Sequence, residues 1–307
     1  MNAIICILHL IVFWLISDLI FKLIQKYGHE SFTRYYAGAA AIIFTVCYLA
    51  VGWYQAHHVW ETTYEIHSDK EVGNLRVAVL SDSHTGTTFH GEGFAEHIKE
   101  IEAQNPDVLL IVGDFVDDDT SKEDMIRCCQ ALGEMQTTYG VYYVFGNHDK
   151  GYYPPDYRGY DGDDLIAELE KNNVHVMQDD VELVDDRFYI IGRKDKSEEY
   201  SGGRKTMEEL TKDLDPDKFS IVLDHQPQDY DAQAASGVDL VLSGHTHGGQ
   251  LFPLMTIENH SNLAADDRVY GYEKRENTNF IVTSGISDWA IKFKTGCKSE
   301  YLMLLLN

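Results

Sequence analysis

"VDLVLSGHTHGGQLF", residues 238–252, begins as a buried strand and ends in polar residues. The apolar run Val238, Leu240, Val241 and Leu242 stops at Gly244. Two histidines follow, His245 and His247, with Gly248 and Gly249 behind them. A single histidine at a strand end is most often a surface or hydrogen-bonding residue. Two of them, one residue apart on a glycine-hinged loop, suit metal ligation. The reading turns on whether other strands end the same way.

Four others do. "LRVAVLSDSHTG" delivers Asp82 and His84 after Leu80, and "PDVLLIVGDFVDD" delivers Gly113, Asp114 and Asp117 after Val112. "GVYYVFGNHDKG" delivers Asn147, His148 and Asp149, and "FSIVLDHQP" delivers His225. The runs are rich in Val, Ile, Leu, Tyr and Phe, the residues of strands. Many end at a glycine, which lets the backbone turn sharply. In α/β sheets, ligands bind beyond the carboxyl ends of strands. Five such ends, converging, supply seven Asp, Asn or His ligands and one spare histidine.

The set D-x-H (Asp82, His84), G-D-x-x-D (Gly113 to Asp117), G-N-H-D (Gly146 to Asp149), lone His225 and G-H-x-H (Gly244 to His247) resembles the calcineurin-like metallophosphoesterase family. The match covers residues 75–306, and "GRKDKS", "LDHQP" and "SGHTHGGQ" further resemble its membrane-associated bacterial branch. The resemblance implies an α/β fold: an αββα sandwich of two mixed β-sheets flanked by helices, with two divalent metal ions at one edge. It places Asp82, His84 and His247 on one ion and Asn147, His225 and His245 on the other, with Asp114 bridging both. His148 is left unliganded, to donate a proton to the leaving oxygen or to stabilise phosphoryl charge. Asp149 is expected to orient His148, and Asp117 to hold a ligand from behind. Carboxylate, imidazole and amide donors without thiolate suit Mn, Fe or Zn. The resemblance is specific for the metal centre and poor for the substrate. Many relatives carry an arginine near the C-terminal "SG…" segment. This chain reads "SGISDWAIKFKTGCKSE", with Lys292 and Lys294 instead, and lysine lacks the bidentate fork.

Composition divides the 307 residues. Residues 4–24 and 35–54 are apolar stretches of about 20 residues each, the length that crosses a bilayer core as a helix. A signal peptide would show positive charge before the apolar core and a small-residue cleavage site, and neither is evident. Residues 1–54 are therefore expected as a membrane anchor, 55–71 as a polar linker and 72–307 as the phosphoesterase domain. Asp18 and Lys22 weaken the first span, and fit near its cytoplasmic end. Lys22, Lys26 and Arg34 lie between or at the edges of the spans, and no other basic residue precedes Lys70. The positive-inside rule puts that loop in the cytoplasm and the large domain outside the cell.

The chain holds 25 basic and 50 acidic residues, and its first 60 residues hold only three basic and two acidic ones. A domain this acidic is a poor nucleic-acid binder, since affinity for the phosphate backbone comes from basic surface. The five cysteines show no C-x-x-C spacing and read as packing residues.

"GFAEHIKEIEAQNP" places Phe94, Ile98 and Ile101 on one helical face. Capping-box patterns open two further helices, Thr120 to Glu123 and Thr206 to Glu209. Two loops invite a functional reading beside the plain one of solvated turns. Residues 151–164, rich in tyrosine, could form a lip facing substrate. Residues 192–205 concentrate Arg193, Lys194, Lys196, Arg204 and Lys205, a candidate anion-recognition arm.

The combined expectation is a membrane-anchored, dinuclear phosphoesterase acting on a phosphodiester, pyrophosphate or phosphomonoester, with a lipid-linked substrate favoured because the anchor holds the site beside the bilayer. A tethered hydrolase of soluble nucleotides or phosphomonoesters is the first rival. A non-catalytic metal-binding scaffold is the second. Retention of His148 argues against the scaffold, which needs no unliganded histidine.

Overall fold

The computed structural model describes residues 1–28, 32, 34–70, 72–201, 203–260 and 265–307. Two long helices, α1 (Asn2–Gly28) and α2 (Tyr36–His57), precede the strands β1 (Val59–Ile66) and β2 (Leu75–Leu80). Then α3 (Gly91–Glu102), β3 (Val108–Val112), α4 (Lys122–Glu134), β4 (Val141–Val144), α5 (Gly162–Lys171) and β5 (Val174–Met177) alternate. A hairpin of β6 (Asp180–Val184) and β7 (Phe188–Gly192) leads to α6 (Met207–Thr211), β8 (Phe219–Leu223), α7 (Tyr230–Ala235) and β9 (Leu240–Ser243). The chain closes with α8 (Leu254–His260), β10 (Gly271–Arg275), β11 (Thr278–Val282) and β12 (Ser299–Leu306).

The strands form two mixed six-stranded sheets, ordered β1-β12-β2-β3-β4-β5 and β10-β11-β9-β8-β7-β6. Each strand of the first sheet's centre is buried on both faces, so it reads as a continuous apolar run. Within β3, Val108, Leu110 and Val112 point between the sheets, against Leu240 and Leu242 of β9. Leu109 and Ile111 point the other way, against Phe94, Ile98 and Ile101 of α3. On the far side of the second sheet, Val222, Val241 and Phe280 pack on Met207, Leu210 and Tyr230. Helix, sheet, sheet and helix therefore stack as the αββα sandwich expected.

Residues 55–71 differ from the expected linker. Helix α2 runs to His57 and passes almost directly into β1, which pairs in parallel with β12 from Val59↔Ser299 to Ile66↔Leu306. The signal was an alternation: Trp60, Thr62, Tyr64 and Ile66 turn inward, while Glu61, Thr63 and Glu65 are exposed. The flanking histidines and charges masked it. The capping box at Thr206 and Glu209 forms as expected. At α4 the cap is Ser121, one residue later than expected, accepting from the Asp124 amide. Thr120 instead ties the metal-motif loops together, donating to Thr85 O (2.6 Å) and accepting from Asp117 N (2.9 Å).

Helices α1 and α2 lie against each other and are long and apolar enough to cross a membrane. The buried face of α2 is mostly small residues, Gly38, Ala41, Thr45, Gly52 and Ala56, which allow close approach of helices in lipid. Asp18 is not left alone in this hairpin, since Tyr35 donates to its carboxylate and Trp14 donates to Tyr35 Oη.

Candidate metal centre

The five strand ends predicted from sequence meet at one edge of the sandwich. Their loops are tightly bent. Asp82 (φ 56°), His84 (36°), Asp114 (50°), His245 (71°) and His247 (49°) all lie in the left-handed region. Non-glycine residues there cost about 1–3 kcal/mol each and persist only where the surroundings over-determine them. Asp149 supplies much of that constraint. Its carboxylate, fully buried, accepts from the amides of Asp114 (2.9 Å), Phe115 (2.8 Å), Val116 (3.0 Å) and Gly146 (2.6 Å). Its own carbonyl accepts from Arg158 Nη2 at 2.7 Å. Burial and the neighbouring Asp114 push its pKa up to about 6. Asp149 therefore does not engage the His148 ring as expected, and instead holds the backbone that aims Asp114.

Ligand-type atoms of Asp82, His84 and His247 fall within 4.8 Å of one another, and so do those of Asp114, His225 and His245. Asp114 Oδ2 lies 3.5 Å from His84 Nε2 and 3.1 Å from His225 Nε2, between the two groups. The outer nitrogens define the tautomers. His84 Nδ1 sits 3.1 Å from Asp117 Oδ2, His225 Nδ1 2.8 Å from Val112 O, and His247 Nδ1 3.3 Å from Ser287 O. Each neighbour is an acceptor, so each Nδ1 carries a proton and each Nε2 faces the centre. Those of His84 and His247 then face each other at 3.2 Å. Two imidazole nitrogens at that distance need a positive charge between them, a proton or a metal cation. The second group shows the same need: His225 Nε2, His245 Nδ1 and Asn147 Oδ1 are buried without a hydrogen-bond partner. Asn147 uses its other atom, Nδ2, on Tyr152 Oη (2.8 Å), which turns the carbonyl oxygen free. These residues fit two cations of the kind that nitrogen and oxygen donors take.

The charges respond to one another. Burial opposes ionisation of Asp114, yet the His225 imidazole beside it holds its carboxyl far below the usual range. Burial likewise works against a charged His225, and the Asp114 carboxylate raises it well above the ordinary imidazole value. His247 goes the other way, lowered first by burial and then by His84 and Lys294.

The approach is close enough to exclude side chains. A Cβ on Gly244 would meet Ser81 Oγ at 2.0 Å and Asp82 Oδ2 at 2.3 Å. Gly244→Ala should therefore displace Asp82. A misplacement of about 1 Å costs on the order of 10²-fold in turnover, and bound metal should fall with it. Metal analysis and turnover on the purified variant check this, and full metal content would contradict it.

His148 stands beside the centre, half-buried, with its amide donating to Asp114 Oδ1 (2.9 Å). Its ring packs against His84 at 5.1 Å, Tyr152 at 5.0 Å and Trp289 at 5.5 Å between centroids. Burial lowers its pKa, with Asp114 pulling in the opposite sense. Tyr152 belongs to the 151–164 loop, which therefore does reach the site, while Tyr153 and Tyr157 are exposed. Trp289 was not singled out from sequence, because nothing in its local spacing marks it.

The 192–205 segment corrects an expectation. Its basic groups are already engaged inside the domain. Arg193 and Arg204 are buried on Asp224, at 2.7 and 2.6 Å. Lys196 pairs with Asp229, Lys194 Nζ donates to Gly203 O and Lys205 Nζ donates to Asp179 O. Nearby carboxylates and carbonyls, brought in by the fold, take the place that the anion-recognition reading gave to a phosphate. Lys294 is also not a surrogate for the relatives' arginine. It is fully buried, donating to Ser284 O (2.7 Å) and Gly285 O (3.2 Å).

Comparison with known proteins identifies the family. The family model for calcineurin-like phosphoesterases matches residues 75–249, more than half of the chain, and the chain belongs to that family. An uncharacterized metallophosphoesterase of Campylobacter jejuni is 32% identical over 246 residues, 78% of this chain and 62% of its own length. A bovine (Bos taurus) transmembrane protein with a metallophosphoesterase domain is 30% identical, over 76% of this chain and 53% of its own. The chain thus spans 62% and 53% of the lengths of these two curated relatives. Among solved structures, a dimetal phosphatase from Danio rerio is 9% identical with a TM-score of 0.42, covering 68% of this chain and 86% of that one.

Proposed function

We propose that this chain is a membrane-anchored, dinuclear metal-dependent phosphoesterase whose substrate is a phosphodiester, pyrophosphate or phosphomonoester, with a lipid-linked phosphate favoured. The observation that carries it is the pair of opposed imidazole nitrogens of His84 and His247, flanked by a carboxylate shared with the His225 group. Asp82, His84 and His247 would hold one ion, and Asn147, His225 and His245 the other, with Asp114 between them. Manganese, iron or zinc suits these donors. Such a pair supplies a nucleophile at neutral pH and offsets charge on the attacking and leaving oxygens.

The chain's own groups do the rest. Asp117 fixes the His84 tautomer through Nδ1. Asp149 holds the amides around Asp114 and Gly146 in their bent conformation. The His148 imidazole, flanked by Tyr152 and Trp289, donates toward the leaving oxygen or the phosphoryl group. Residues 1–54 serve as a two-span anchor and residues 72–307 as the catalytic domain. The bovine relative's description as a transmembrane protein supports the anchor. Metal analysis of the detergent-purified chain, with a screen of mono-, di- and pyrophosphate esters, tests the reading. Two ions per chain and turnover on at least one class are expected. A metal-replete chain inert on every class is a scaffold instead.

Three basic residues around the loop between the spans support a cytoplasmic loop and a catalytic domain outside. Ser31, in that loop, lies outside the described residues. A cysteine at Ser31 should be shielded from impermeant thiol reagents in intact cells, and Tyr157→Cys should be labelled. The reverse pattern would put the catalytic domain in the cytoplasm.

A further inference from the structure

A groove of about 450 Å³ runs between the domain-proximal halves of α1 and α2, walled by Leu10, Thr45, Leu49, Ala50 and Trp53. That size falls within the roughly 300–1,000 Å³ of small-molecule sites. The hydroxyl of Thr45 is turned inward, donating to Ala41 O at 2.8 Å. One further wall comes from the other domain. It is Phe293, in the C-terminal segment between β11 and β12.

That segment joins the groove to the metal centre. At one end, Ser287 N donates to Asp82 O (3.2 Å), His247 Nδ1 donates to Ser287 O, and the Trp289 ring flanks His148. At the other, Lys292 N donates to Asn2 Oδ1 (3.1 Å) and Lys294 N donates to Gly52 O of α2 (3.0 Å). A Cβ on Gly52 would meet Thr295 Cγ2 at 2.6 Å, so the segment seats where α2 has no side chain. From Trp289 to Phe293 is four residues, at most about 14 Å of extended chain. Between the two positions Ala290 and Lys292 are exposed and Ile291 is buried. Trp289 is 45% exposed, and Phe252, whose amide donates to Thr295 Oγ1, is 62% exposed.

We propose that the groove holds the hydrocarbon chain of the substrate, with Trp289 and Phe252 bridging from the groove to the metal centre, so that the enzyme takes a phosphate ester of a long-chain alcohol directly from the bilayer. This rests on the phosphoesterase and anchor reading above. Around helices that cross a membrane the surrounding medium is acyl chain, and Phe293 at this groove and Trp289 at His148 lie on one short segment. A soluble ester gains nothing from Phe293.

The probes are butyl and dodecyl 4-nitrophenyl phosphate, given to the full-length, metal-loaded protein at one fixed concentration of detergent micelles. Micelle partitioning is then common to wild type and variants. The dodecyl-to-butyl ratio of kcat/KM should fall by roughly tenfold in Phe293→Ser, the effect of losing about two buried methylenes. Ala50→Trp, which fills the groove from α2 and replaces no residue of the catalytic domain, should lower the ratio likewise and covers the case in which the first variant does not fold. An unchanged ratio in a folded variant that still cleaves the butyl ester overturns the proposal. So does an unchanged ratio accompanied by dissociation of an oligomer, since the groove is then an interface between copies. If wild type cleaves neither ester nor any other phosphate ester, the phosphoesterase reading itself has failed, and this inference with it.

Discussion

Asp114→Asn should abolish both metal occupancy and turnover while leaving the sandwich folded. The substitution keeps the shape of a side chain packed at the crossing of two loops, so the fold loses little. What it removes is the negative charge that lies between His84 Nε2 and His225 Nε2, at 3.5 and 3.1 Å. It also puts an amide N–H in place of a carboxylate oxygen against those two imidazole nitrogens, which opposes a cation there. The Asn Oδ1 can still accept from the His148 amide, as Asp114 Oδ1 does at 2.9 Å. Residues that merely orient metal ligands cost about 10–100-fold when replaced, and the shared carboxylate should cost more than that. Metal content by elemental analysis and turnover on the best ester found are the measurements. Wild-type turnover at full metal content would sink the dinuclear assignment.

His148→Ala should separate chemistry from binding. The side chain makes no approach to Asp82, Asp114 or His225 of the kind a ligand makes, and its neighbours are the rings of His84, Tyr152 and Trp289. Metal content should therefore hold. Turnover should fall by the 10²–10⁴-fold typical of losing general acid–base catalysis, with KM little changed. The loss should shrink on nitrophenyl esters, whose leaving groups need little protonation. A drop in metal content alongside activity would make His148 a ligand. Unchanged activity on esters with poor leaving groups would make it structural.

The two substitutions probe parts of the site that differ in how they could be read. The seven candidate ligands were legible because each sits two to four residues beyond an apolar strand, and strand ends are local features. Asp117 was legible for the same reason, slightly farther along the loop after β3, and it does meet His84. Asp149 was read as a partner of His148. Its position next to His148 in the chain suggested a partnership, whereas the bend of the loop carries its carboxylate onto four backbone amides.

By itself, then, the sequence determined the strands and their polar ends, the two apolar helices and the residue types that a cation would meet. All of these depend on neighbours within a few positions, through periodicity, propensity and the glycines that permit a tight approach. The tertiary structure decided what depends on residues far apart in the chain. It set β1 beside β12, and it neutralised Arg193 and Arg204 on Asp224 before any phosphate could reach them. It brought Trp289 against His148, and Phe293 against the helices at the other end of the sequence. The reason is physical: a buried charge takes whatever partner the packing supplies, and local spacing carries no record of a partner that arrives from another strand.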